Sequence, residues 1–252
     1  MYRIDILTLF PETVETVLSD SVIGRARAAG HIDFRAWQIR DYTLNRQHQV
    51  DDAPYGGGNG CVMYAQPLAD CKRAVEADAG RSIHTIYLSP VGKPFSQQDS
   101  LRLAREYDRL ILVCGHYEGV DERFIEECVD EELSLGDFVL TGGEIPALAL
   151  ADSVFRLVPG VLANDECFED ESHFSGLLEY PQYTRPEIWE GRAVPEILRS
   201  GNHAAIAKWR RLQSLLRTKL RRPDMFARLK FETKQDVKLL RELDEMTAGD
   251  EE

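Results

Sequence analysis

The sequence of 252 residues predicts an α/β protein. A mostly parallel sheet with helices on both faces should come first, followed by a small all-helical region. Three observations carry this reading. Strand signals alternate with helical stretches over roughly the first 160 residues, as in βαβ units. RLILVCG (109–115) holds an unbroken apolar run of the kind found in strands buried on both faces. From about residue 196 the helical periodicity continues and strand signals cease.

The elements follow in order. RIDILTLF (3–10) alternates as a first strand, and PETVETVLSDSVIGRARAAG (11–30) places Val14, Val17, Leu18 and Val22 at helical spacing before Gly30. IDFRAW (32–37) reads as a second strand. A helix near 66–79 leads into the strand IHTIYLSP (83–90), and a helix near 96–107 precedes RLILVCG. A further helix near 120–130 brings the chain to FVL (138–140), read as a strand. EIPALALADSVFRLV (144–158) is a helix with proline near its first turn. Residues 159–195 carry prolines, glycines and an acidic cluster without periodicity, as a linker and irregular segment do. Asn202 then caps a helix whose Ile206, Trp209, Leu212, Leu216 and Leu220 form an apolar stripe, and another helical stretch follows Pro223.

Composition narrows the function classes. No apolar run approaches the roughly 18–20 residues of a membrane span, and the N-terminus reads as a strand, so a cytoplasmic protein without membrane attachment is expected. Five scattered cysteines without a C-x-x-C pair argue against a disulfide framework or zinc site. The net charge of −13 argues against a polyanionic partner, but the charge is uneven. Arg199 to Arg222 holds eight lysines and arginines and no acid, whereas Asp121 to Glu132 holds seven acids. A local basic face suffices for phosphate contacts, so an RNA partner stays open beside a merely solvated helix face.

Three loops follow predicted strands: YLSPVGKP (87–94), CGHYEGVDER (114–123) and LSLGDFVLTGGE (133–144). Ligands of open α/β sheets bind outside the carboxyl ends of the strands, and glycines there admit close approach of backbone. Tight turn packing explains any one of these glycines; three such loops together mark a pocket. Neither G-x-G-x-x-G nor G-x-x-x-x-G-K-[ST] is present, and basic residues are few, Lys93 and Arg123 aside. A cofactor with an adenine ring and no phosphate therefore fits better than a dinucleotide. YGGGNGCVM (55–63) lacks a P-loop lysine; it reads as a flexible loop or one over which a large substrate passes. Glu166, Glu169, Asp170 and Glu171 precede Ser172 and His173. Such a run is commonly a solvated linker, but its carboxylates also offer a general base, with Arg156 as charge partner. His173 has no histidine at metal-site spacing, and the residues leave open whether a divalent cation takes part.

CGHYEGVDER, DEELSLGDFVLTGGEIPALALADSVFRLVPGVL, GLLEYPQYTRP and SGNHAAIAKWR together resemble bacterial tRNA (guanine-N1)-methyltransferase. The likeness runs over nearly the whole chain and includes DDAPYGGGNG and YLSP. That family belongs to the SPOUT class of methyltransferases. The resemblance implies methyl transfer from S-adenosylmethionine to N1 of the guanosine immediately 3′ of the anticodon in tRNA. It further implies a homodimer with shared active sites and a deep trefoil knot at the C-terminal end of the catalytic domain. Generic topology rules would exclude such a knot.

The resemblance also implies a division into a catalytic domain (1–160), an interdomain linker (161–176) and a helical domain (177–252) binding the anticodon arm. The cofactor positions carried over are Tyr87, Leu88, Ser89 and Pro90, then Gly115, Tyr117, Glu118 and Gly119. In the third loop they are Leu135, Gly136, Asp137, Phe138, Val139, Leu140, Gly142 and Gly143, with Pro146 after. Asp52, Gly57, Gly58, Asn59, Ser172, Asn202, His203, Arg210 and Arg217 are the substrate positions. The family's base is an aspartate assisted by an arginine matching Arg156. Ungapped counting from Gly176 puts Glu171 at the aspartate's place, whereas a shift of one residue presents Asp170, and both readings stand. Asn59 replaces a proline common in the family's glycine loop. The rival readings are a SPOUT methyltransferase for another RNA position and a catalytically silent RNA-binding relative.

Overall fold

A computed structural model describes residues 1–163, 171–231 and 234–248. The chain divides into two compact units, Met1–Asp165 and Glu166–Glu252. The first unit begins with β1 (Tyr2–Thr8), α1 (Pro11–Leu18), α2 (Ser21–Ala28) and β2 (Ile32–Gln38). A short ladder of β3 (Asp51–Asp52) and β4 (Val62–Met63) precedes α3 (Ala65–Ala79), β5 (His84–Pro94) and α4 (Gln97–Glu106). β6 (Arg109–Cys114), α5 (Glu122–Cys128), β7 (Glu131–Ser134) and α6 (Glu144–Phe155) complete it.

The five long strands form one sheet in the order β2-β1-β6-β5-β7, every pair parallel. Alternation along β6 shows how both faces are buried. Leu110, Leu112 and Cys114 point into a core shared with α1, α2, α4 and α6. Ile111 and Val113 point into a second core with α3 and α5. The parallel sheet with helices on both faces is thus present as expected.

Local chemistry corrects three expectations. The helix expected over 11–30 is two helices. The Asp20 carboxylate accepts the Ser21 N–H at 2.6 Å and starts α2 afresh, and Ser21 itself has φ 56. The strand expected at FVL does not form. Phe138, Val139 and Leu140 are 54%, 81% and 38% exposed on the loop beyond the fifth strand, which is Glu131–Ser134. As an edge strand β7 has one neighbour, so its glutamates are tolerated and its buried contribution is confined to Leu133 and Ser134. The third correction lies in the second unit.

That unit holds a small hairpin, β8 (Ile188–Trp189) and β9 (Arg192–Ala193), then α7 (His203–Arg221), α8 (Pro223–Phe226) and α9 (Lys234–Ala248). Asn202 caps α7 as expected, its side-chain oxygen accepting the Ala205 N–H at 3.1 Å. The buried face, however, is Leu212, Ser214, Leu215 and Thr218, and Leu220 is 66% exposed. The segment through Leu177 and Leu178 selects that face. Leu177 packs with Leu212, Leu215, Leu239 and Leu243, and the Leu178 N–H donates to Thr218 Oγ1 at 2.9 Å. Among the described residues no helix is long and apolar enough to cross a membrane.

Candidate active site

The five parallel strands of the first unit end at the same edge, and the loops beyond β5, β6 and β7 enclose a pocket of about 370 Å³. β5 supplies the first wall by bulging. Leu133 of β7 is opposite Leu88 and again opposite Lys93, so Ser89 to Gly92 loop out between two stretches of pairing. Gly92 passes so close to β7 that a Cβ there would stand 2.6 Å from the Glu132 carbonyl carbon. Beyond β6, Tyr117 at φ 59 and Gly119 at φ 129 turn the second loop back over the pocket.

The third loop explains the glycine cluster at 142–143. The Gly143 N–H donates to the Gly115 carbonyl at 2.9 Å, and Gly142 bridges His116. A Cβ on Gly143 would lie 2.6 Å from Cys114 Cα and 3.0 Å from the Gly115 nitrogen. The object that comes close to these glycines is the end of β6. A Cβ on Gly142 would instead strike the His116 ring, 2.2 Å from Cε1.

A buried carboxylate ties this seam to β1. Glu144, the first residue of α6, is 7% exposed. It accepts from Thr8 Oγ1 at 2.6 Å, and its other oxygen lies 2.7 Å from His116 Nε2. Phe10 packs on the His116 ring with centroids 5.1 Å apart. Burial, followed by the charge of Glu144, raises the Cys114 thiol well above its ordinary range. Across the pocket, burial pushes the Tyr87 hydroxyl up to about 12, with Glu132 and Glu122 adding to it.

Of the carried-over cofactor positions, those in the first two loops line the pocket, as do Leu135, Phe138, Val139, Leu140, Gly142, Gly143 and Pro146. Gly136 and Asp137 sit on the third loop without lining it. Sequence reading passed over His116, Glu122, Ile125, Glu132 and Ser134, which also line it. His116, Glu122 and Ser134 lie within loops singled out in the sequence, and Glu132 immediately precedes the third of them. Among the described residues no lysine or arginine lines the pocket, whereas Glu118, Glu122 and Glu132 do. Glu132 Oε2 is buried and has no hydrogen-bond partner among the described residues.

The substrate positions lie elsewhere. Asp52 accepts from the Tyr64 hydroxyl at 3.1 Å, and Gly57, Gly58 and Asn59 form an exposed loop between β3 and β4. That loop is docked on the second pocket loop, because the Glu118 N–H donates to the Cys61 carbonyl at 2.9 Å. Arg156 ends α6. In the second unit Glu171 is half-buried, and Ser172 Oγ receives the Glu179 N–H at 2.9 Å. Asp170 lies outside the described residues. His203 opens α7, the Arg210 guanidinium stacks 4.8 Å from the Tyr180 ring, and Arg217 donates to the Glu179 carbonyl at 3.2 Å. Part of the basic stretch is neutralised within the unit: Lys208 pairs with Glu242 at 2.7 Å and Lys219 with Asp244 at 2.9 Å. No cluster of three or more histidine, cysteine, aspartate or glutamate side chains fit to hold a metal ion occurs among the described residues.

A parallel sheet with a pocket outside its strand ends, built by three loops and walled among the described residues by backbone, apolar side chains and glutamates, defines an α/β protein with a ligand-sized site where such sheets place theirs. The family described as tRNA (Guanine-1)-methyltransferase TrmD matches residues 2–228, and the chain belongs to that family. It is 53% identical over 227 residues to the tRNA (guanine-N(1)-)-methyltransferase of Ruminiclostridium cellulolyticum, covering 90% of this chain and 97% of that protein. It is 52% identical over 244 residues to the protein of that name from Chloroflexus aurantiacus, covering 96% of each. A Clostridium perfringens relative of the same name is 54% identical over 240 residues, covering 95% of this chain and 99% of its own length.

Proposed function

We propose that the protein methylates N1 of the guanosine immediately 3′ of the anticodon in tRNA, with S-adenosylmethionine as donor. The observation that carries this is the pocket: apolar and backbone walls, no lysine or arginine, and close-packed glycines suit an adenosine without phosphate. Family membership supplies the reaction. When bound, S-adenosylmethionine supplies an electrophilic methyl group on a sulfonium.

The remaining steps fall to side chains of this chain. Guanine N1 carries a proton that must leave as the N–C bond forms, so a carboxylate of the linker, Asp170 or Glu171, accepts it. Arg156 acts electrostatically, holding that carboxylate ionised or offsetting negative charge developing on guanine O6. The pocket loops carrying Tyr87, Gly115 and Gly143 would hold the donor that supplies the methyl group, and the linker carboxylate would take up the N1 proton as that group arrives. Asn202, His203, Arg210 and Arg217 support the reading of the helical unit as the anticodon-arm binder, and in this reading Asp52 with Gly57, Gly58 and Asn59 contacts the substrate from the first unit. Exposed apolar side chains in and next to the pocket wall, Phe138, Val139 and Ile145 among them, support a homodimer that covers them. The backbone contact of Gly143 on Cys114 supports the trefoil knot that the likeness implies.

The test is transfer of labelled methyl from S-adenosylmethionine to a tRNA transcript with guanosine after the anticodon. Label should enter that transcript and be lost when the guanosine is replaced by adenosine. Equal labelling of both transcripts would exclude the proposed position.

A further inference from the structure

The pocket carries a charge pattern that the methyl-transfer reading does not by itself require. Three glutamates and no basic side chain line it. Glu118 and Glu122 are exposed, so water and salt screen them. Glu132 differs. It stands on β7 directly opposite Tyr87 of β5, and its Oε2 atom is buried with no hydrogen-bond partner among the described residues. A buried acceptor left unpaired is costly, and such an atom in a pocket wall calls for a ligand bearing positive charge or N–H donors. The neighbouring Tyr87 hydroxyl reports the same potential, since Glu132 and then Glu122 add to the burial that disfavours its ionised form.

The two forms of the cofactor differ in this respect. S-adenosylmethionine carries a sulfonium, and after methyl transfer the sulfur is a neutral thioether with the rest of the molecule unchanged. We propose that Glu132 is a specificity residue that makes the pocket prefer the cationic methyl donor over its uncharged-sulfur product, so that loss of charge itself promotes release of the spent cofactor. This rests on the S-adenosylmethionine reading above and adds a rule for discrimination within it.

The experiment is calorimetric titration of wild-type protein, Glu132→Gln and Glu132→Asp with three ligands. These are S-adenosylmethionine, S-adenosylhomocysteine, and sinefungin, in which a protonated amine replaces the methylsulfonium. Removing a poorly screened charge should weaken both cationic ligands about tenfold in Glu132→Gln, with S-adenosylhomocysteine changed less than about twofold. Glu132→Asp keeps the charge and should hold the donor-to-product ratio within about threefold of wild type. If Glu132→Gln weakens all three ligands alike, or none, at an unchanged melting temperature, the inference is overturned while the cofactor reading stands. If wild-type protein binds none of the three, both fall together. Should Glu132→Gln not fold, Glu132→Met, neutral and of similar volume, takes its place with the same expected ratios.

Discussion

His116 and Glu144 hold each other across the seam between the second and third pocket loops, ring nitrogen to carboxylate oxygen at 2.7 Å. The same carboxylate takes the Thr8 hydroxyl at 2.6 Å, so one buried acid joins the ends of β1 and β6 to the start of α6. Glu144→Ala leaves a hydroxyl and an imidazole without that acceptor in a buried place. A stability loss of about 2–3 kcal/mol is expected in urea unfolding, with Glu144→Gln losing less. An alanine variant as stable as wild type would show that the seam is held by something else.

Gly143 is pressed against backbone and has nowhere to yield. Gly143→Ala should displace the third loop and weaken S-adenosylmethionine by more than about tenfold, read by titration. Gly80→Ala is the matched control. Gly80 closes α3 at φ 68 with open space around it, so the change should lower stability by about 1 kcal/mol and leave cofactor affinity alone.

Replacing the general base should slow single-turnover methyl transfer about 10²–10⁴-fold and spare cofactor affinity. Asp170→Asn and Glu171→Gln, assayed side by side on saturating tRNA, identify the base by which variant shows the slow step. Full activity in both would remove the linker from the chemistry. Arg156→Ala should slow the same step and shift its pH profile.

Asp99 closes a capping box at the start of α4, receiving the Ser96 N–H and hydroxyl and the Lys93 ammonium at 2.6 Å. Burial raises its pKa, but the hydrogen bonds from Lys93 and Ser96 outweigh it and the net direction is down. A depressed folded-state pKa gives stability that is present above the ordinary aspartate range and lost as pH falls through the folded value. Asp99→Asn should therefore melt below wild type at pH 7, and the gap should narrow as pH falls below the ordinary aspartate range. A gap that widens in acid would contradict this sign.

The sheet was legible because β6 is an unbroken apolar run, β1 alternates, and helical stretches separate the strands. The pocket was legible through its glycines and through the missing phosphate motifs. Legibility failed where tertiary context decided. FVL has strand chemistry, yet it lies exposed on the loop beyond the edge strand. Leu220 has core chemistry and sits in solvent because the chain near Leu177 claims a different face of α7. Glu144 and Glu132 look like surface glutamates in the sequence; only the fold reveals that one closes a seam and the other sits unpaired in the pocket wall.

The Thr8–Glu144 hydrogen bond joins positions 136 apart in the chain. Contacts of such separation are made only after much loop entropy has been lost, so they belong to the slow end of folding. During synthesis the first strand must wait for almost the entire first unit to emerge before its hydroxyl meets that acid. The pocket, lined by residues between Tyr87 and Pro146, is thus completed only after α6 has begun to emerge, and no nascent chain ending before that helix can present all of its wall.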